Sequence, residues 1–211
     1  MIVLINPNST EAMTQAMVET ASKAGVALEG WTSLDGPAAI QGSEDGAACI
    51  PPLLALVRKA SDAGAKTIII GCFDDTGLDA AREIATCPVI GIGQAAYHMA
   101  VLAGGRFSVV TTLAVSVPIL EDNIHASGFT SNLARVRACG VPVLDLEADP
   151  AGTAPAVVGE IKRAVAEDKV DVVVLGCAGM VHIPAYFCEE GPVRLIDGVT
   201  SAAQLAFLLA K

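Results

Sequence analysis

Two cysteines stand in nearly the same phrase of this sequence, 105 residues apart. TIIIGCFDDTGL contains Cys72 and VVVLGCAGMVHI contains Cys177, and in each an apolar run ends in Gly-Cys before a turn. If the two thiols flank a carbon acid, a thiolate can take its proton while the other thiol donates one from the opposite side. Such a pair would invert a stereocentre without a cofactor. We therefore predict that Cys72 and Cys177 are catalytic.

The surroundings of each cysteine indicate how a thiol could be activated. A thiol with an ordinary pKa is mostly protonated at pH 7. Both cysteines are expected at a strand end beside a helix N-terminus, where N–H groups lower a thiol pKa. Ala178 and Gly179 leave room for a substrate carbonyl to reach backbone N–H groups. Nucleophilic attack by a single cysteine is the competing chemistry, and it usually requires a nearby base.

Other polar side chains near the two cysteines have roles that the sequence leaves open. Asp74 and Asp75 follow Cys72, where they either cap the next helix through its N–H groups or orient a substrate. A carboxylate beside Cys72 would raise the pKa of its thiol. His98 and His182 follow the two cysteine regions and are interpreted either as supporting residues of the site or as partly buried structural histidines.

Strand-like and helix-like segments alternate along the chain, and this alternation predicts the elements that position the cysteines. Strands are expected at residues 2–6, 27–32, 67–71, 88–92, 106–111, 135–139, 171–176 and 192–196. Helices are expected at residues 9–24, 51–63, 78–84, 117–126, 154–167 and 201–210, with Gly25 ending the first. Because the strands are apolar throughout rather than alternating, they indicate parallel sheets covered by helices on both faces. The predicted class is α/β.

The repeat extends beyond the cysteine phrases, because the same offset places residues 3–6 on residues 108–111. We predict two similar parallel-sheet α/β domains related by pseudo-two-fold symmetry, residues 1–97 and residues 98–199. A C-terminal helix at 200–211 is expected to pack back on the first domain. Ligands of such sheets bind beyond the carboxyl ends of the strands. The active site is therefore expected in the cleft between the two domains.

Composition and charge exclude several classes of function. The net charge of −10 argues against binding to nucleic acid or to an anionic membrane surface. The apolar runs are too short to span a membrane and the N-terminus lacks a basic leader, so cytoplasmic residence is expected. Only 17% of the residues are charged, which favours a homo-oligomer.

The remaining cysteines and a glycine-rich stretch favour neither a metal nor a nucleotide. The six cysteines form no C-x-x-C pair and the three histidines have no ligand spacing, so we predict no metal site. Four cysteines are interpreted as core or incidental residues: Cys49, Cys87, Cys139 and Cys188. GIGQAA at residues 91–96 matches a dinucleotide pattern. It does not follow the first strand, however, and the next strand ends without a ribose-binding carboxylate, so no nucleotide cofactor is predicted.

Five motifs in order along the chain resemble the hydantoin racemase branch of the aspartate/glutamate racemase superfamily. They are LINPNST, GCFDDTGLDAARE, PVIGIGQAA, TTLAVSVPILE, and LGCAGM followed by PVRLIDGV. The resemblance implies two similar α/β domains with the active site between them, and cofactor-independent racemisation by two cysteines that match Cys72 and Cys177. The substrate-binding positions that it implies are Pro7, Asn8, Ile40, Phe73, Asp74, Thr111, Thr112, Pro118, Ala178 and Gly179. Relatives of this branch commonly read Gly-Asp-Pro-Gly after CF, where this chain has Asp74-Asp75-Thr76-Gly77.

The resemblance implies a small-molecule substrate of the 5-monosubstituted hydantoin class, with allantoin among the candidates. The C5 hydrogen of such a ring is acidified by the adjacent carbonyl group. Free aspartate or glutamate fits less well, because no Arg or Lys lies in the predicted rim loops. Other chemistries of the superfamily remain alternatives, namely amino-acid racemisation, malonate decarboxylation and maleate cis-trans isomerisation. A non-catalytic binding protein or a redox sensor is a further alternative.

Overall fold

The computed structural model describes residues 1–187 and 193–211, and their strands form two parallel four-stranded sheets. The first sheet has the order β2-β1-β3-β4 and the second β6-β5-β7-β8. The strands of the first sheet are β1 (Ile2–Asn6), β2 (Glu29–Thr32), β3 (Thr67–Ile70) and β4 (Val89–Gly91). Those of the second are β5 (Phe107–Thr111), β6 (Leu133–Ala138), β7 (Val172–Leu175) and β8 (Arg194–Asp197). The helices are α1 (Glu11–Lys23), α2 (Ser43–Asp62), α3 (Leu78–Ile84), α4 (Ile92–Gly104), α5 (Val117–Ala126), α6 (Val143–Ala148), α7 (Pro150–Arg163) and α8 (Gly198–Leu209). The predicted α/β class is confirmed.

The central strand pairs of the two sheets, β1 with β3 and β5 with β7, repeat the same pairing with residue numbers that differ by 105. In the first sheet Ile5 pairs with Ile70, and in the second Val110 pairs with Leu175. All residues of β1, β3, β5 and β7 are buried, because each of these strands has a neighbour on both sides and side chains packed on both faces. The continuous apolar runs in the sequence follow from this burial.

Two helices lie between the sheets and connect them. α4 follows β4 of the first sheet but packs against β7 and β8 of the second, whereas α8 follows β8 and packs against β3. The Thr67 hydroxyl of β3 donates to the Ala206 carbonyl of α8 at 3.4 Å. α4 and α8 also pack against each other, so the largest apolar core spans both halves of the molecule. No helix in the described ranges is long and apolar enough to cross a membrane.

Most predicted elements are present, and the differences have physical causes. The bounds of α3 and α5 are those predicted, and Gly25 follows α1 with the positive φ of 81° that ends the helix. α2 begins at Ser43 rather than at residue 51, so Pro51 and Pro52 lie inside the helix. α4 and α6 were not predicted. The predicted domain boundary between residues 97 and 98 therefore falls within α4.

Candidate active site

A cavity opens where β1, β3, β5 and β7 end, at the carboxyl edge of both sheets. Both Cys72 and Cys177 line it. Nine of the twelve predicted site residues are among its walls: Asn8, Ile40, Cys72, Phe73, Asp74, Thr111, Thr112, Cys177 and Ala178. The other lining residues are Met13, Gly71, Ser116, Val143 and Gly176. The fold therefore brings the two repeated phrases to one place.

A glycine lies between the end of each strand and its cysteine. The N–H of Gly71 donates to the Ile5 carbonyl at 2.8 Å, and the N–H of Gly176 donates to the Val110 carbonyl at 2.7 Å. A Cβ atom at Gly71 would lie 2.9 Å from the Met17 sulfur, and one at Gly176 would lie 2.9 Å from the Val110 oxygen. At position 176 the short contact is with backbone, so only glycine lets the chain lie this close to its neighbour. At position 71 the contact is with the flexible end of Met17, so a larger residue would require that side chain to shift.

The two thiols are less acidic than the local sequence predicts. Burial raises the pKa of Cys177 to about 12, although the Gly179 N–H bonds its sulfur and opposes this rise. Burial also raises the pKa of Cys72 well above its ordinary value, and the negative charge of Asp74 adds to it. The expected N–H donors are present, but they do not compensate for the loss of solvent. The prediction of a lowered thiol pKa is therefore wrong for this state of the protein.

The amide group of Asn8 is oriented so that its NH₂ group faces the cavity wall. Its Oδ1 accepts hydrogen bonds from Asn6 Nδ2 at 2.9 Å and from the Thr10 N–H at 3.0 Å. The Nδ2 atom contacts only the Met13 sulfur, at 3.7 Å, within the part of the chain that the structure describes. Because a thioether is a weak acceptor, Asn8 retains a donor for a ligand carbonyl.

Two threonines at the end of β5 line the same cavity, but only one of their side chains is hydrogen-bonded to another described residue. The Thr111 hydroxyl donates to the Gly176 carbonyl at 3.0 Å and so ties β5 to the Cys177 turn. The Thr112 side chain makes no hydrogen bond to any described residue, although the residue is 97% buried. Thr112 is therefore the second polar group that can bind a ligand in the cavity.

Hydrogen bonds from three residues join the two halves across the cavity. Asn123 Nδ2 donates to the Asp74 backbone carbonyl at 2.8 Å, and the Ser116 hydroxyl donates to Asp74 Oδ2 at 3.4 Å. On another wall, the Val143 N–H at the start of α6 donates to Gln41 Oε1 at 3.0 Å. These bonds connect the loops after β2 and β3 to the second half, so the cavity walls come from both halves.

Asp75 has a different role from Asp74, although the two are adjacent. Its carboxylate accepts the N–H of Gly93 at 3.0 Å and the N–H of Gln94 at 2.7 Å, so it caps the N-terminus of α4. Burial raises the pKa of Asp75 to about 7 despite these bonds. The predicted capping role thus applies to α4 rather than to the next helix, α3. If GIGQAA bound a dinucleotide, the phosphate would lie at this helix N-terminus, where the Asp75 carboxylate already accepts the N–H groups.

Three residues implied by the resemblance lie outside the cavity wall. Pro7 is buried, and Pro118 is exposed on the first turn of α5. A Cβ atom at Gly179 would lie 3.3 Å from the Leu146 Cβ atom. Ser116, two residues before Pro118, lines the cavity instead. Ser116 lies in the motif TTLAVSVPILE, but the resemblance pointed to Pro118 there instead. Met13 and Val143 lie in none of the motifs, because they reach the cavity only through the tertiary fold.

The remaining histidines and cysteines lie away from the cavity or outside the described residues. His98 is exposed, its ring nitrogen lies 2.8 Å from the Gln94 carbonyl, and neither it nor His182 lines the cavity. Cys49 is buried and its thiol donates to the Gly46 carbonyl, while Cys87 and Cys139 are partly exposed. Cys188 lies outside the described residues. Within the described ranges no group of three His, Cys, Asp or Glu side chains could hold a metal ion.

The arrangement supplies two thiols, an amide donor, a free hydroxyl and one carboxylate around a single cavity. Among the described lining residues Asp74 is the one charged side chain, and Arg, Lys and His are absent. A cavity of this kind can bind an uncharged polar ring through carbonyl groups. It can also exchange protons at a carbon atom held between the thiols.

Comparison with known proteins gives consistent matches over nearly the whole chain. The family model described as Asp/Glu/Hydantoin racemase matches residues 2–206. A hydantoin racemase of Rhizobium meliloti is 44% identical over 97% of this chain and 86% of its own length. A hydantoin racemase of Pseudomonas sp. (strain NS671) is 34% identical over 97% of this chain and 84% of its own length. The solved structure of an allantoin racemase from Klebsiella pneumoniae is 36% identical, with a TM-score of 0.93 over 99% of this chain and 86% of that one.

Proposed function

Because the chain belongs to the Asp/Glu/hydantoin racemase family, we propose that it racemises 5-monosubstituted hydantoins by moving a proton between Cys72 and Cys177. The chain is a racemase and therefore an isomerase. Allantoin is among the candidate substrates, since it is a hydantoin with a ureido group at C5. The observation that supports the cysteine pair is that two turns equivalent under the repeat bring both thiols to one cavity.

The proposed reaction moves one proton and leaves all other atoms in place. The thiolate of one cysteine takes the C5 proton, and the electron pair moves into the C4 carbonyl to form an enolate. The other thiol then donates its proton to the opposite face of C5, so that the thiolate and thiol exchange places. Asn8 Nδ2 and the Thr112 hydroxyl are the available donors for the enolate oxygen. This scheme requires no cofactor.

The charge of the cavity supports a hydantoin over a free acidic amino acid. Aspartate or glutamate would bring two carboxylates into a wall that already contains the Asp74 carboxylate. No Arg or Lys among the described lining residues could pair with them. A hydantoin ring is uncharged and offers carbonyl groups to the Asn8 and Thr112 donors. The substrate class therefore follows from the polar groups of the cavity as well as from the relatives.

The direct test of the proposed function follows one enantiomer of a hydantoin in D₂O. We expect optical rotation to decay to zero while deuterium enters C5, because the donated proton comes from a thiol that exchanges with solvent. Polarimetry and proton NMR measure the two rates with aromatic, aliphatic and ureido hydantoins. Constant rotation with every substrate would overturn the proposal. A disulfide between Cys72 and Cys177 after mild oxidation, without deuterium uptake, would favour redox sensing instead.

The raised thiol pKa values predict a specific pH dependence. Because both thiols are protonated at neutral pH, the thiolate fraction and with it kcat/KM should rise about tenfold per pH unit between pH 6.5 and 8.5. Initial rates are measured with one hydantoin enantiomer, and the spontaneous rate without enzyme is subtracted. A flat profile over this range would indicate a thiolate already formed in the free enzyme.

Several finer statements remain predictions. The division at residues 97 and 98 is one of them, and we propose that each half folds around its own sheet while α4 and α8 are exchanged between them. Cytoplasmic residence and assembly into a homo-oligomer are also predictions. Size-exclusion chromatography with light scattering tests the second.

A further inference from the structure

The cavity contains one carboxylate, on Asp74, that the proposed proton transfer does not use. Asp74 Oδ2 accepts a long hydrogen bond of 3.4 Å from Ser116, and Oδ1 has no hydrogen-bond partner among the described residues. The side chain is mostly buried, and burial raises its pKa to about 6. At pH 8 it is thus an ionised acceptor with little solvent and one weak partner. A ligand with an N–H donor would satisfy it.

The position of Asp74 favours the C5 substituent of the substrate over the ring carbonyl groups. The ring carbonyls require donors, and those available are Asn8 Nδ2 and the Thr112 hydroxyl. A carboxylate is an acceptor only. If it lay against the ring, its negative charge would oppose the charge that develops on the enolate. Asp74 nevertheless lines the same cavity as Cys72 and Cys177, so its carboxylate lies near the carbon that the two thiols would flank.

We propose that Asp74 is a specificity-determining residue that selects hydantoins whose C5 substituent ends in an N–H donor, such as a carbamoyl or ureido group, and rejects those ending in a carboxylate. This inference rests on the proposed hydantoin racemase function. A donor group binds the free Oδ1 atom, whereas a carboxylate brings a second negative charge into a cavity without an Arg or Lys among its described lining residues. An apolar substituent leaves the Asp74 Oδ1 atom desolvated and without a partner.

Three hydantoins of nearly equal size test the proposal, with 2-carbamoylethyl, 2-carboxyethyl and 3-methylbutyl groups at C5. We expect wild-type kcat/KM at pH 8 to be on the order of 10- to 100-fold higher for the carbamoyl compound than for either other compound. Asp74→Asn should reduce the preference over the carboxylate to within about threefold. Ratios between substrates are compared because any effect of Asp74 on the thiols changes all three rates equally.

A control and a binding measurement separate this proposal from the function on which it rests. Asp79→Asn removes one negative charge from the exposed start of α3, outside the cavity, and should leave the ratios unchanged. Calorimetric Kd values for the three compounds are measured with both variants. Preferred binding of the carbamoyl compound without any turnover would support the role of Asp74 but reject racemisation of these compounds. Equal kcat/KM or equal Kd for the three compounds, absence of binding, or a preference unchanged in Asp74→Asn would overturn the proposal for Asp74.

Discussion

Replacement of Cys72 or Cys177 by Ser is expected to lower kcat for hydantoin racemisation by about 10²- to 10⁴-fold. A serine hydroxyl is a much weaker acid than a thiol. It therefore does not readily form the anion that removes the C5 proton, and it does not readily donate its own proton to C5. Both thiols line the same cavity, and each is needed on one face of the carbon. Initial rates from polarimetry measure the loss. Cys87→Ser is the matched control, since Cys87 is a free cysteine outside the cavity.

Deuterium exchange makes the same pair of variants more informative. In Cys177→Ser the Cys72 thiol can still remove and return a proton on its own face. This variant should exchange the C5 hydrogen of one enantiomer without inverting it, and Cys72→Ser should do so for the other enantiomer. NMR of each pure enantiomer in D₂O measures this exchange. If either variant racemises at the wild-type rate, or if both exchange the same enantiomer, the two-base scheme is wrong.

The strands and the two cysteine turns could be predicted because their causes are local. β1, β3, β5 and β7 are buried on both faces, so their apolar runs stand out from the rest of the sequence. The 105-residue offset is the same for the Gly-Cys phrases and for the pairing of the central strands. A repeat at matching positions in two sheets is enough to place both cysteines at strand ends.

The missed helices have causes that lie far away in the sequence. The start of α4 is capped by Asp75, which accepts hydrogen bonds from the N–H groups of Gly93 and Gln94. These residues follow Asp75 by 18 and 19 positions in the sequence. No capping side chain directly precedes α4, and Gly91 and Gly93 at its start are poor helix formers. The start of α2 was predicted eight residues late because Pro51 and Pro52 are typical of a first helical turn, whereas here they lie inside the helix.

The electrostatics of the site could not be read from the local sequence for a similar reason. The N–H groups near both thiols follow from the turns, and these were predicted. The burial that outweighs them comes from both halves, because Asn8 and Ile40 of the first half and Ser116 and Val143 of the second line the cavity together with the thiols. Burial of a group depends on the whole fold, and so does its effect on the pKa.

A buried ion cluster in the second half was also not predicted, and it leads to the largest expected effect on stability. Arg137 on β6 donates to both carboxylate oxygens of Asp168, at 2.7 and 2.6 Å, and to Glu160 at 3.1 Å. The Asp168 carboxylate also accepts the Ser108 hydroxyl of β5 at 2.8 Å. The cluster therefore ties β5 and β6 to the chain segment after α7. Arg137 and Asp168 are 31 residues apart, so no local pattern shows the pair.

Arg137→Met is expected to lower the free energy of unfolding at pH 7 by about 3–5 kcal/mol, because it leaves the buried Asp168 and Glu160 carboxylates without their partner. Urea denaturation followed by circular dichroism measures the loss. Arg135→Met is the matched control on the same strand. Its side chain is 58% exposed and lies 3.5 Å from Asp168, so its removal should cost less than about 1 kcal/mol.

The pH dependence of this loss separates the ion cluster from simple packing. The Arg137 guanidinium holds the pKa of Asp168 below its ordinary value, so the stabilisation is present above the unfolded pKa of about 4. It disappears as the pH falls through the lower folded pKa, because the carboxylate then becomes protonated. The difference between wild type and Arg137→Met should therefore be full at pH 7 and narrow below about pH 4. A difference that stays constant with pH would assign the loss to packing of the arginine stem, since packing does not titrate.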